Sequence, residues 1–112
     1  MSAPVLNRRL VLEAEERVFD GAGGWTRLWR EKGVLWGAVV ARGARERDED
    51  GRRGSRVSHR ITVRASPFGS EARPRADQRF REGARLFRIR AVSEADARGA
   101  FLTVWADEEA EA

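Results

Sequence analysis

The stretch Val57-Ser58-His59-Arg60-Ile61-Thr62-Val63-Arg64-Ala65 alternates apolar or aromatic with polar residues at a period of two. Successive side chains of an extended chain point to opposite faces, so this pattern predicts a half-buried strand. Val57, His59, Ile61, Val63 and Ala65 are expected to face a core, and Ser58, Arg60, Thr62 and Arg64 solvent or a partner. The same reading covers Leu86 to Val92, where Phe87, Ile89 and Ala91 share one side and Arg88 and Arg90 the other. It also covers Ala100 to Ala106, where Phe101, Thr103 and Trp105 lie opposite Leu102, Val104 and Ala106. Upstream, Arg9 to Val18 brings Leu10, Leu12 and Ala14 together, and the apolar density of Val34 to Ala41 predicts a strand buried on both faces. Asp20-Gly21-Ala22-Gly23-Gly24 reads as a flexible turn, and Trp25 to Arg30 as a further short strand. With no long helical pattern, the expected fold is all-β: a small single-domain β-barrel of five to six or more short antiparallel strands.

Two segments interrupt the strands. Gly43 to Ser55 is a long charged loop, too long and too polar for a simple hairpin turn. Connections of about 12 residues or more inside compact domains are usually functional or disordered. Ala44 to Asp50 within it has helix-forming composition, since Arg and Glu both favour helices. Ser66 to Asp77, with Pro67, Gly69 and Pro74, cannot continue the preceding strand and forms a second excursion. Asp107 to Ala112 reads as a frayed acidic tail, which divides the chain into a barrel domain over 1–106 and a tail over 107–112.

A chain of 112 residues, 36% charged and 41% hydrophobic, has material for one core and not for two. Its positive charge is almost all arginine, with Lys32 the single lysine, and the formal net charge is +4. The four acids of 107–112 conceal a more basic body: without them the net charge is +8. Cysteine is absent, so disulfides, thiolate metal sites and cysteine nucleophiles are excluded. No apolar run approaches the roughly 20 residues of a membrane-spanning helix, and Met1 to Arg9 has no apolar signal-peptide core, so no membrane partner is expected.

The catalytic kit is nearly empty. His59, the single histidine, lies on the apolar face of its strand without the partners that triad or metal chemistry requires. The acidic groups Glu15-Glu16 and Asp48-Glu49-Asp50 stand beside arginines and read as solvated ion pairs. Gly21 to Gly24 lacks the Lys-Ser/Thr end of a phosphate loop. The expectation is a non-enzyme without cofactor or metal. Trp25, Trp29, Trp36 and Trp105 are expected to supply core volume, with at most one indole exposed. Arg60 with Arg64, and Arg88 with Arg90, form outward rows that could meet phosphates or an acidic surface. From residues alone, a free-standing nucleic-acid-binding barrel stays open.

The order of segments carries a resemblance. Asn7-Arg8-Arg9-Leu10-Val11-Leu12-Glu13, then Asp20 through Trp25, then Val34-Leu35-Trp36-Gly37-Ala38-Val39, resembles the phage head-tail joining family, also called head closure or stopper proteins. Val57 to Arg64 is similar to that family's central strand, and Phe80 to Ile89 to its exposed turn followed by a buried strand. The resemblance implies a β-barrel subunit of a homo-oligomeric ring in the neck of a tailed phage or gene transfer agent particle. Such a ring assembles in the bacterial cytoplasm, docks below the portal and adaptor, receives a tail-side protein, and surrounds double-stranded DNA. It also implies that Gly43 to Ser55 projects toward the channel. Arg45, Arg47, Arg52 and Arg53 would then be available to phosphates, while Glu46, Asp48, Glu49 and Asp50 limit how tightly DNA is held. Four charges against four leave that segment neutral.

Overall fold

The computed structural model describes residues 4–49 and 52–109, and for 44–49, 52–56 and 109 it describes the backbone alone. Six strands follow one another: β1 (Arg8–Phe19), β2 (Trp25–Glu49), β3 (Arg52–Arg64), β4 (Arg79–Glu82), β5 (Arg85–Glu94) and β6 (Phe101–Glu109). They form one antiparallel sheet in the order β1-β2-β3-β6-β5-β4, which closes into a barrel when β4 pairs back onto β1. The all-β barrel expected from the alternation is therefore the fold. Inside it sit Leu10, Leu12, Leu35, Ile61, Val63, Phe80, Phe87, Ile89, Leu102, Val104 and Ala106. His59 is buried among them; its Nδ1 lies 3.1 Å from the Val57 carbonyl oxygen and its ring meets the Phe87 ring edge-on.

β2 shapes the molecule. Its 25 residues, at about 3.3 Å each, would span roughly 80 Å if straight. The longest dimension of the protein is 54 Å, so the strand must bend. It does so at two bulges, where Lys32 is the extra residue against β1 and Arg42 the extra residue against β3. A third bulge places Arg90 between Ile89 and Ala91. It turns Ala91 outward and Val92 against the core, correcting the uninterrupted alternation expected of Leu86 to Val92. Gly37 faces inward where a Cβ would lie 2.8 Å from Leu10 Cδ1 and 3.2 Å from the Thr62 carbonyl oxygen, so the wall closes only without a side chain.

Four expectations are corrected. Residues 43–49 and 52–55 are strand and not an irregular loop, and Ala44 to Glu49 is not helical: β2 and β3 stay paired out to Glu49 opposite Arg52. Val34 to Ala41 is buried on one face only, because Val34, Trp36 and Val40 point outward and are exposed. The tryptophans do not fill the core: Trp25, Trp36 and Trp105 are all exposed and Trp29 is half-buried. Aliphatic residues and two phenylalanines fill it instead. The acidic stretch starts as strand, with Asp107 and Glu108 in β6 bonded to Arg90 and Arg85. Residues 110–112 lie outside the described ones.

The closing seam is short. β1 and β4 share three register pairs, Val11 with Arg81, Leu12 with Phe80 and Glu13 with Arg79. Leu12 and Phe80 meet inside the barrel. On the outer side Glu13, itself buried, accepts from Arg79 Nε at 2.8 Å and Arg81 Nε at 3.0 Å. At the other end Arg8 grips both carboxylate oxygens of Glu82. Burial pushes the Glu13 carboxyl up, but the two arginine hydrogen bonds outweigh it and hold it below the ordinary 4.5. Glu82 is lowered by its bond to Arg8, and Glu108 by its bond to Arg85.

These shifts fix the sign of the pH dependence. A carboxyl whose folded pKa is depressed adds stability above its unfolded value, and that stability is lost as pH falls through the folded value. Thermal stability is expected to be nearly flat from neutral pH to about 5 and to decline below about 4.5. The Glu82→Gln variant should show a shallower acid decline in a pH series of melting curves; an equal slope would remove the clamp from the account.

Candidate functional site

Beyond the barrel wall β2 continues at both ends. At its C-terminal end β1 has dropped away, since the β1–β2 ladder stops at Arg8 opposite Gly37. β6 drops away from β3 at Arg56 opposite Glu109. Residues 46–49 and 52–55 therefore form a two-stranded arm, with Asp48 in register with Arg53 and Glu49 with Arg52. Of the residues expected to line a channel, Arg45, Glu46, Arg47, Asp48, Glu49, Arg52 and Arg53 all belong to this hairpin's strands, and Asp50 lies outside the described residues. Two residues, Asp50 and Gly51, separate the last register pair. An Asp-Gly dipeptide between strands is the sequence signature of a two-residue hairpin turn, and it was the signal available for this arm.

The four outward arginines are not one row. Arg60 and Arg64 stand on β3, Arg88 and Arg90 on β5, and β6 runs between them. Arg64 lies over the Phe101 ring, Arg88 over Trp29 at 5.1 Å, and Arg90 holds Asp107 at 3.0 Å. Arg60 is half-buried between Val40 on β2 and Trp105 on β6. Arg88 also borders a depression of about 360 Å³ whose rim mixes Arg75 with Glu15 and Asp77. With both signs of charge at its edge, that hollow has no preference for an anion. Glu15 and Glu16 are engaged by Arg27 and by Arg30 with Lys32, as the solvated-pair reading expected. Asp48 and Glu49 side chains, and Asp50, lie outside what is described. Among the described residues no cluster of three or more His, Asp or Glu could hold a metal ion.

A family model for phage head completion proteins matches residues 1–109. The chain belongs to that family. One solved relative of this head completion protein is a chain from the virion of a native gene transfer agent particle. It is 49% identical, superposes with a TM-score of 0.85, and the match covers 98% of this chain and 100% of the relative. No curated protein matches. For a head completion protein, a structural component of a virion, the surfaces that matter are those it offers to other molecules.

Proposed function

We propose that this chain is a head-closure, or stopper, subunit of a gene transfer agent or tailed-phage particle. Copies form a ring in the neck, between a portal-side adaptor and a tail-side protein, and the ring helps to retain packaged double-stranded DNA. The observation that carries the reading is the β2–β3 arm, which leaves the barrel with a hydrophilic, charge-balanced sequence. Protein contacts exclude charge at their centres, whereas a surface beside moving DNA tolerates it. Uncompensated arginines would bind phosphates strongly and in a salt-dependent way; four acids against four bases over 43–55, the arm and its base, leave it able to meet DNA and release it. The relative from a gene transfer agent virion supports the same setting. The role needs surfaces and a lumen element, and no reacting groups.

Deleting the gene in the producing strain tests this directly. Tailless heads that have lost nuclease-protected DNA are expected by electron microscopy and DNA assay. Intact, tailed, DNA-filled particles would reject the neck position. In that event, salt-dependent binding of nucleic acid by the isolated chain would favour the barrel as a nucleic-acid-binding module.

A further inference from the structure

β2 has a second free end. Its residues 25–30 pair only with β1 residues 14–19, because β4 touches β1 at residues 11–13 alone. This arm leaves the wall at the opposite end of β2 from the charged one, and its character is different. Phe19 and Trp25, the last register pair, are 58% and 60% exposed, and Leu28 on the same arm is also exposed. The two rings pack edge to face at 5.5 Å, and Arg17 lies over the indole at 5.4 Å. Asp20 Oδ1 accepts from the backbone N–H groups of Ala22 and Gly24 and fixes the tip. A two-stranded ribbon is marginal by itself, and one that holds an aromatic pair in water in a fixed geometry is built to be covered.

The same chain carries a surface that could cover it. On the outer face, register rows run Val40, Arg60, Trp105, Ala91 and then Ala38, Thr62, Thr103, Ser93, with Trp36 beyond them at 53% exposure. The exposed face of an antiparallel sheet is ordinarily polar. Here Trp36, Trp105 and Arg60, of the residue types enriched at interface hot spots, stand on it among Val40, Thr62 and Thr103. The charges also match: Arg60 is the charged residue of those two rows, Arg64 stands further along β3, and Asp20 is the one charged residue of the tip, 20–24.

We infer that the Phe19–Trp25 arm of one copy docks on the β2–β3–β6 outer face of the next copy. This rests on the ring reading above and deepens it by naming the contact. Donor and acceptor are different patches of one chain, so the contact is heterologous, and a heterologous contact that repeats with closure generates a ring. The charged arm, at the other end of β2, is thereby left free of the subunit contact.

The absence of cysteine makes the test clean. Particles are produced from the deletion strain complemented with the A22C/T103C chain and treated with a short bismaleimide. The expected result is a ladder of covalent species beyond the dimer, with neither single-cysteine chain passing the dimer. Adding Trp25→Ala should cut the yield by about 10-fold or more, as loss of a central aromatic anchor does. Particles that assemble normally without species beyond the dimer would overturn the contact. Hydroxyl-radical footprinting of unmodified particles needs no substitution: Trp25, Trp36 and Trp105 should all be protected relative to the isolated chain, and oxidation of Trp25 at the isolated-chain rate would equally overturn it. If the neck reading itself fails, the gene-deletion phenotype is absent; if only the contact fails, the phenotype stands and the ladder does not form.

Discussion

Glu13→Ala is expected to destabilise the protein by about 3 kcal/mol, the low end of the loss from breaking a buried ion pair. The low end applies because Arg81 is 40% exposed at its side chain and can regain water once its partner is gone. Arg79 is more enclosed, at 21%, and lies 4.0 Å over the Trp29 ring, so it keeps a partner but loses its counter-charge. A domain of this size has roughly 5–15 kcal/mol in total. Urea unfolding measures the difference, and Glu13→Gln, which keeps an acceptor oxygen, should recover part of it. A Glu13→Ala midpoint within error of wild type would show that the seam closes on Leu12 and Phe80 alone.

The consequence for the barrel is larger than one ion pair. β4 has four residues and meets β1 at three positions, whereas β1 and β2 pair over their whole shared length. The seam is therefore the least redundant part of the closed sheet, with one arginine–carboxylate clamp at each end. If either clamp suffices to hold β4, then Glu13→Ala and Glu82→Ala together should cost more than the sum of the single losses; if opening needs only one broken clamp, they should cost less. The second outcome is expected, because three register pairs are too few to zip independently from both ends. A fall in the urea m-value of the double variant would accompany it, since a native state with an open seam has less surface left to expose.

The strands were legible in the sequence because one buried face imposes a period of two. Ile61, Val63, Phe87 and Ile89 sit where alternation places them. Alternation carries no information about what covers the other face, and the tryptophans lie on that other face. A small chain needs large side chains to fill a core, but this barrel is narrow enough for leucine, isoleucine, valine and two phenylalanines to do it. The indoles are left on arms and outer rows. The bulges at Lys32, Arg42 and Arg90 were equally hidden, since an extra basic residue in a strand looks like any other outward position until the partner's register is known. The clamps join positions 66 to 74 residues apart in sequence, a pairing that composition cannot supply. The charged arm, by contrast, carried a readable mark in Asp50-Gly51, which the high charge around it obscured.

Shortening that arm should abolish DNA retention while sparing the barrel. Removing residues 46–49 and 52–55 leaves Arg45 and Arg56, already in register, joined by Asp50-Gly51, a dipeptide suited to a two-residue turn. Every residue of the buried core lies outside the deleted segments, so the melting temperature of the isolated chain should stay near wild type. Particles complemented with this chain are expected to contain it but to lose most of their nuclease-protected DNA. Heads as full as wild type would sink the lumen role of the arm. The charge balance makes a separate demand. Changing Glu46, Asp48 and Glu49 to their amides leaves four arginines facing one acid, Asp50. Such particles should keep their DNA and release it more slowly, with the delay shrinking as salt rises, because each added phosphate contact releases condensed counterions. An arm that merely blocked the channel sterically would fail on shortening yet show no response to the amide substitutions, so the pair of variants separates a plug from a charge-balanced guide.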